Sequence, residues 1–134
     1  MKRYVADTQC ILWYLNSNRH LPRVFQAVFT AAESGRAQIL IPSIALVEAI
    51  FLLQRQRISE TVVAQLMALS EETDATLCVV PLDMAVVRAL KDFGPAAIPE
   101  MPDRIIAATA RALDVPLLTT DPSIAESGLV QVLE

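Results

Sequence analysis

Four carboxylates stand where apolar segments of this chain begin, end or turn: Asp7 after Tyr4-Val5-Ala6, Glu48 inside Ile44–Leu53, Asp103 before Ile105-Ile106, and Asp121 after Leu117-Leu118. An ionised carboxylate beside buried surface is destabilised by several kcal/mol unless it is paired or bound to metal. No basic side chain is placed in the sequence to neutralise the set, so the pattern is that of a divalent-cation site. All-oxygen ligands select Mg²⁺ or Mn²⁺ over zinc. A carboxylate cluster on one or two such ions suits phosphodiester hydrolysis, in which one ion activates water and a second stabilises the leaving oxygen. His20 is the single histidine, which excludes a histidine pair acting as acid and base.

Each acid also has a plainer role open to it. Glu48 is the one charge among the nine apolar residues of Ile44–Leu53, and a partner such as Arg104 or a position on the rim would account for it. Asp103 suits the first turn of a helix, where the macrodipole favours acids. Asp7 and Asp121 fit caps or turns, Asp121-Pro122 being a turn-initiating pair. It is the set of four that points to metal. Thr8, Ser43, Thr119 and Thr120 lie beside the four in sequence and supply hydroxyls to orient them or a bound water.

The elements that must position these groups follow from turn and cap signals. Arg3–Ala6 reads as a strand and Gln9–Leu15 as a helix opened by Asp7 or Thr8. A second helix runs from Pro22 to near Gly35. Gln38–Ile41 is a strand, followed by a helix capped by Ser43 and running to about Gln56, and another from about Ser59 to Ser70. Thr76–Val80 is a strand, and Asp83 caps a helix ending before Gly94. A loop with Pro95, Pro99 and Pro102 leads to a helix from Asp103 to about Leu113. Pro116–Thr119 is a strand, Pro122–Glu126 a helical turn, and Leu129–Leu133 a final strand. Continuously apolar strands between helices indicate an α/β fold with a parallel sheet covered on both faces. Ligands of such sheets bind beyond the carboxyl ends of strands where strand order reverses, so Asp7 and Asp121 meet if their strands are neighbours there.

Composition bounds the rest. The 134 residues fit one domain, 1–134, with 54% apolar residues and 19% charged, rather apolar for a monomer of this size. The net charge of −4 argues against nucleic-acid binding by simple backbone neutralisation, although not against binding through metal. Cys10 and Cys78 have no metal-ligand spacing and read as buried thiols of a reducing cytosol. Asp7 interrupts any signal-peptide pattern after Met1-Lys2-Arg3, and the Ile44–Leu53 run is too short to span a bilayer, so a cytoplasmic protein with no membrane partner is expected. His20 reads as a surface residue near a helix start.

The segments Tyr4-Val5-Ala6-Asp7-Thr8, Pro42-Ser43-Ile44-Ala45-Leu46-Val47-Glu48, Pro102-Asp103-Arg104-Ile105-Ile106-Ala107-Ala108-Thr109-Ala110 and Pro116-Leu117-Leu118-Thr119-Thr120-Asp121 together resemble the PIN-domain ribonucleases, and within them the VapC-type toxins of toxin–antitoxin pairs. The resemblance covers essentially the whole chain. It implies an α/β/α sandwich with a parallel sheet of about five strands, and an acidic quartet at Asp7, Glu48, Asp103 and Asp121, with Asp7 and Asp103 the most direct ligands of Mg²⁺ or Mn²⁺. It also implies endonucleolytic cleavage of RNA, homodimerisation and inhibition by a cognate antitoxin. Thr119 matches the hydroxyl residue two before the last acid. Arg55, Arg57, Arg104 and Arg111 are the candidates to guide RNA over an otherwise acidic chain.

Val24, Phe25, Val28 and Phe29 follow helical spacing, and Ala49, Ile50, Leu52 and Leu53 exceed what one helix face can bury internally; most read as core, and the surplus fits an antitoxin partner. Part of the helix after Ser43 and the helix from about Ser59 are the expected antitoxin groove. Two competing readings differ in class. A phosphohydrolase with an aspartyl nucleophile would need a second aspartate two residues after Asp7, where this chain has Gln9. A catalytically idle PIN fold serving as a binding or scaffolding module is the alternative to the nuclease; four retained acids would be costly in it, and only activity or metal binding excludes it.

Overall fold

The computed structural model describes residues 1–72 and 75–133. Strand β1 (Lys2–Ala6) leads into helices α1 (Thr8–Leu15) and α2 (Arg23–Glu33), then strand β2 (Ala37–Pro42) and helices α3 (Ser43–Gln54) and α4 (Glu60–Leu69). Strand β3 (Leu77–Val80) is followed by helices α5 (Met84–Leu90) and α6 (Met101–Leu113), strand β4 (Leu117–Leu118) and helix α7 (Pro122–Ser127). All strand pairs are parallel, in the order β3-β2-β1-β4. The chain moves outward from β1 to β3 and then returns to the other side of β1. Strand order therefore reverses between β1 and β4, where Val5 pairs with Leu117 and Ala6 with Leu118.

Alternate side chains of each strand feed opposite layers. Ala6, Ile39, Ile41 and Leu118 pack with Cys10, Phe29, Ala49 and Leu66 of α1 to α4 on one face. Val5, Leu40, Cys78 and Leu117 pack with Val86, Ile106 and Ile124 of α5 to α7 on the other. The result is an α/β/α sandwich with core on both sides of the sheet, as the continuous apolar strands require. Cys10 and Cys78 are buried and neither is in a disulfide.

Local chemistry sets the helix ends. Asp7 caps α1 by accepting Cys10 N–H at 2.9 Å, while Ser59 and Asp83 cap α4 and α5 through Val62 and Val86 N–H. Gly35, at φ +75°, closes α2 by donating to Ala32 while Arg36 donates to Ala31. Ser43 is not the cap of α3. Strand β2 extends through Pro42, which takes the extended cap conformation, and Ser43 is already helical with no side-chain capping bond. Helix α6 starts at Met101 with Pro102 in its first turn, two residues before the start expected from sequence. The Leu129–Leu133 segment makes a single parallel bridge, Leu117 to Val132, because β4 offers it only two residues of edge.

Candidate functional site

The reversal between β1 and β4 places three acids at one end of the sheet. Asp7 follows β1, Asp121 follows β4 by three residues, and Asp103 lies in the first turn of α6. Glu48, midway along α3, completes the wall. Together they line a cleft of about 460 Å³, shared with Thr8, Gln9, Ile44, Arg55, Met101 and Thr120.

Hydroxyls and backbone amides hold these carboxylates. Asp7 is only 7% exposed and accepts from Thr119 Oγ1 at 2.5 Å through Oδ2, its Oδ1 taking the Cys10 amide. Thr119 Oγ1 in turn accepts the Asp121 backbone N–H at 3.1 Å. Glu48 Oε1 accepts from Thr8 Oγ1 at 2.5 Å. Asp121 Oδ1 accepts both the backbone N–H and the hydroxyl of Ser123, at 2.9 and 2.8 Å. Thr8 and Thr119 thus each donate to one of these carboxylates. Thr120 lines the cleft, and Ser43 is not among the cleft-lining residues. Ser123 was missed by sequence reading, although Asp-Pro-Ser at a helix start signals a side chain folding back to cap.

Burial and mutual repulsion push Asp7, Glu48 and Asp103 toward protonation. Desolvation raises Asp7 above the usual carboxylate range against the stabilising bonds from Thr119 and Cys10, with a further upward push from Asp121. Glu48 is raised first by burial, then by Asp7, with Thr8 opposing. Asp103 is pushed up to about 7 by burial, then by the charges of Asp121 and Glu48 and a hydrogen bond with Asp121. The helix-dipole effect that favours an ionised acid at this position is therefore outweighed. Glu48 forms no ion pair with Arg104 among the described residues.

The donor set is four hard oxygens with excess negative charge and no thiolate or imidazole, which suits Mg²⁺ or Mn²⁺ in kind. In arrangement it is not yet closed: among the described residues no three acids, thiols or imidazoles are already grouped to hold an ion.

The cleft rim is apolar. Val47 and Phe51, one turn apart on α3, and Met101 at the start of α6 are 42%, 53% and 56% exposed. By contrast Phe25, Val28, Phe29 and Ala49 are buried core, as the sequence reading favoured. Of the four candidate arginines, Arg55 lines the cleft. Arg111 is committed elsewhere: it donates to the Leu129 carbonyl at 2.8 Å, pairs with Asp92 at 3.4 Å and stands over the Phe93 ring. Arg104 is half-buried and its Nε has no partner among the described residues. His20 is on the surface, its ring against Trp13.

The PIN-domain sequence model matches residues 4–128 of the chain. The chain belongs to the PIN-domain family. No curated protein sequence matches it. Among solved structures it is similar to VapBC2 from Rickettsia felis bound to a DNA fragment from their promoter, with a TM-score of 0.71 and 17% identity over 98% of this chain and 97% of that one. It is also similar to FitAcB from Neisseria gonorrhoeae (TM-score 0.63, 18% identity, 98% and 96% covered) and to a toxin–antitoxin complex from Klebsiella pneumoniae (TM-score 0.63, 22% identity, 98% and 96% covered). At these identities the likeness establishes the fold. No helix among the described residues is long and apolar enough to cross a membrane.

Proposed function

We propose that this chain is a metal-dependent endoribonuclease and the toxin of a cytoplasmic toxin–antitoxin module. The observation that carries the reading is the convergence of Asp7, Glu48, Asp103 and Asp121 on one cleft, with three of them held above the usual carboxylate range. Groups so destabilised are expected where function requires them. Asp7, Asp103, Asp121 and Glu48 are the residues to hold Mg²⁺ or Mn²⁺. A cation held there would supply positive charge against their repulsion and would lower the pKa of a bound water.

The chain's own residues do the positioning. Thr119 and the Cys10 amide fix the Asp7 carboxylate, and Thr8 fixes Glu48. Ser123 locks one oxygen of Asp121 and leaves the other toward Asp103. Arg55, on the cleft wall, is placed to meet the RNA backbone. Hydrolysis adds water across one P–O bond and leaves a phosphate monoester and a hydroxyl end.

The cognate antitoxin as partner rests on the likeness to the Klebsiella pneumoniae toxin–antitoxin complex and on the apolar rim of Val47, Phe51 and Met101 around the cleft. Homodimerisation is the expected use of a second exposed apolar group, Leu82, Met84 and Val87 around α5. The competing reading is a catalytically idle binding module. Cleavage of RNA with Mg²⁺ or Mn²⁺, abolished by chelator and by Asp103→Asn, tests between them.

A further inference from the structure

A second cavity, of about 290 Å³, lies between α1 and α2. Its geometry follows from the way α1 ends. Asn18 N–H bonds back to the Trp13 carbonyl and Ser17 N–H to that of Tyr14, with Ser17 in the left-handed region at φ 52°. The reversed chain carries His20 over Trp13, with ring centroids 5.9 Å apart and planes 24° from parallel. The Asn18 side chain clamps this turn by accepting from the His20 backbone at 2.8 Å. Trp13, Ser17, Asn18, Arg19 and Thr30 line the cavity, and the exposed Arg19 has no hydrogen-bond or ion-pair partner among the described residues.

Two further observations connect this cavity to the acidic cleft. Gln9 lines the cleft and Trp13 the cavity, and the two are one turn apart on one face of α1, separated by about 6 Å of helix rise. The charge is also unevenly divided. Residues 1–57 hold seven basic and three acidic residues, against four and twelve in residues 58–134. Of those three acids, Asp7 and Glu48 line the cleft and Glu33 accepts the Tyr14 hydroxyl. The net charge of −4 therefore conceals a basic half on which both the cavity and the Arg55 wall lie.

We propose that this cavity is a nucleobase subsite of the same nuclease, resting on the ribonuclease reading above. It takes an unpaired base of the RNA strand, with Trp13 about 9 Å of helix rise beyond Asp7. The base extends the Trp13–His20 stack, its polar edge faces Ser17, Asn18 and Thr30, and Arg19 meets the adjoining phosphate. Aromatic platforms flanked by arginine are how unpaired bases are held, whereas a duplex keeps its bases stacked out of reach.

Trp13 is the only tryptophan, so its emission reports the site directly. The Asp103→Asn protein in Mg²⁺ is titrated with a short fluorescein-labelled single-stranded RNA and with its duplex, reading tryptophan emission and label anisotropy. Wild-type cleavage is assayed in parallel. Saturable quenching by the single strand and not by the duplex is expected. Trp13→Ala should weaken single-strand binding about 5- to 150-fold, the range for loss of one stacked base. Arg19→Ala and His20→Ala, at exposed positions that leave the fold intact, should weaken it less. Binding that leaves emission unchanged and is indifferent to Arg19→Ala and His20→Ala overturns the subsite while wild-type cleavage still upholds the nuclease. Equal quenching by duplex also overturns it. Absence of both binding and cleavage overturns the two readings together.

Discussion

The Thr119 hydroxyl donates to Asp7 Oδ2 across 112 positions of sequence, while its oxygen accepts the backbone N–H of Asp121. One buried hydroxyl thus ties together the acids that follow β1 and β4, on either side of the point where strand order reverses.

Thr119→Val keeps the shape of this link and removes its polarity. A buried carboxylate that loses a donor is left partly unsatisfied, which is worth about 1–3 kcal/mol. The metal-free variant is expected to lose stability of that order in urea unfolding at pH 8, together with cleavage activity. A stability within about 0.5 kcal/mol of wild type contradicts the role given to Thr119.

The metal-free protein should be more stable in acid than at neutrality. Asp103 titrates near 7 in the fold against an ordinary 3.8, so between these values the folded form retains a proton that the unfolded chain has released. Its contribution is full below about pH 4 and is lost as pH rises through about 7. Asp7 and Glu48 are raised as well and act with the same sign. Melting in chelator from pH 5 to 8 should show a falling Tm, with a shallower fall in Asp103→Asn. A rising Tm over that range contradicts the electrostatic account.

Cation binding should reverse this loss. At pH 8, Mg²⁺ at about a hundred times its Kd adds about 2.7 kcal/mol of stability by mass action. Asp103→Asn and Asp7→Asn are expected to lose most of that gain, and Glu48→Gln part of it. Equal gains in all four proteins place the ion elsewhere.

Phe51→Asp tests the rim. Its ring is 53% exposed, so the fold should lose no more than about 0.5 kcal/mol. Binding of the antitoxin, measured by calorimetry, should fall at least tenfold, as loss of an aromatic anchor does. Leu53→Asp is the poorer probe, because Leu53 is half-buried and its substitution mixes folding with binding. Unchanged antitoxin affinity in Phe51→Asp removes the rim from the interface.

Much of this arrangement was legible in the sequence because strands, caps and acids leave local marks. Asp7 and Asp121 each succeed an apolar strand, which put both at strand ends, and the caps at Asp7, Ser59 and Asp83 were local in the same way, whereas the pairing of β1 with β4 that brings those ends together came from the fold. Where reading failed, tertiary context decided. Ser43 lost its cap role because β2 pairs through Pro42. The Leu129–Leu133 segment gained only one bridge because β4 is short. Arg111 was a candidate for RNA by charge alone, and its partners Asp92, Phe93 and Leu129 became visible only in three dimensions. Val47 and Phe51 were hidden inside a helix apolar nearly all round, where periodicity gives no exposed face to choose.

The acidic cleft is proposed to cut RNA with a divalent cation. The most direct test of that proposal is incubation of bacterial total RNA with the protein in Mg²⁺ or Mn²⁺, with excess chelator and the Asp103→Asn protein as controls and the product ends mapped. Discrete cuts present with metal and absent from both controls are the expected result. Intact RNA with either metal, or cuts that persist in Asp103→Asn at the wild-type rate, would contradict it.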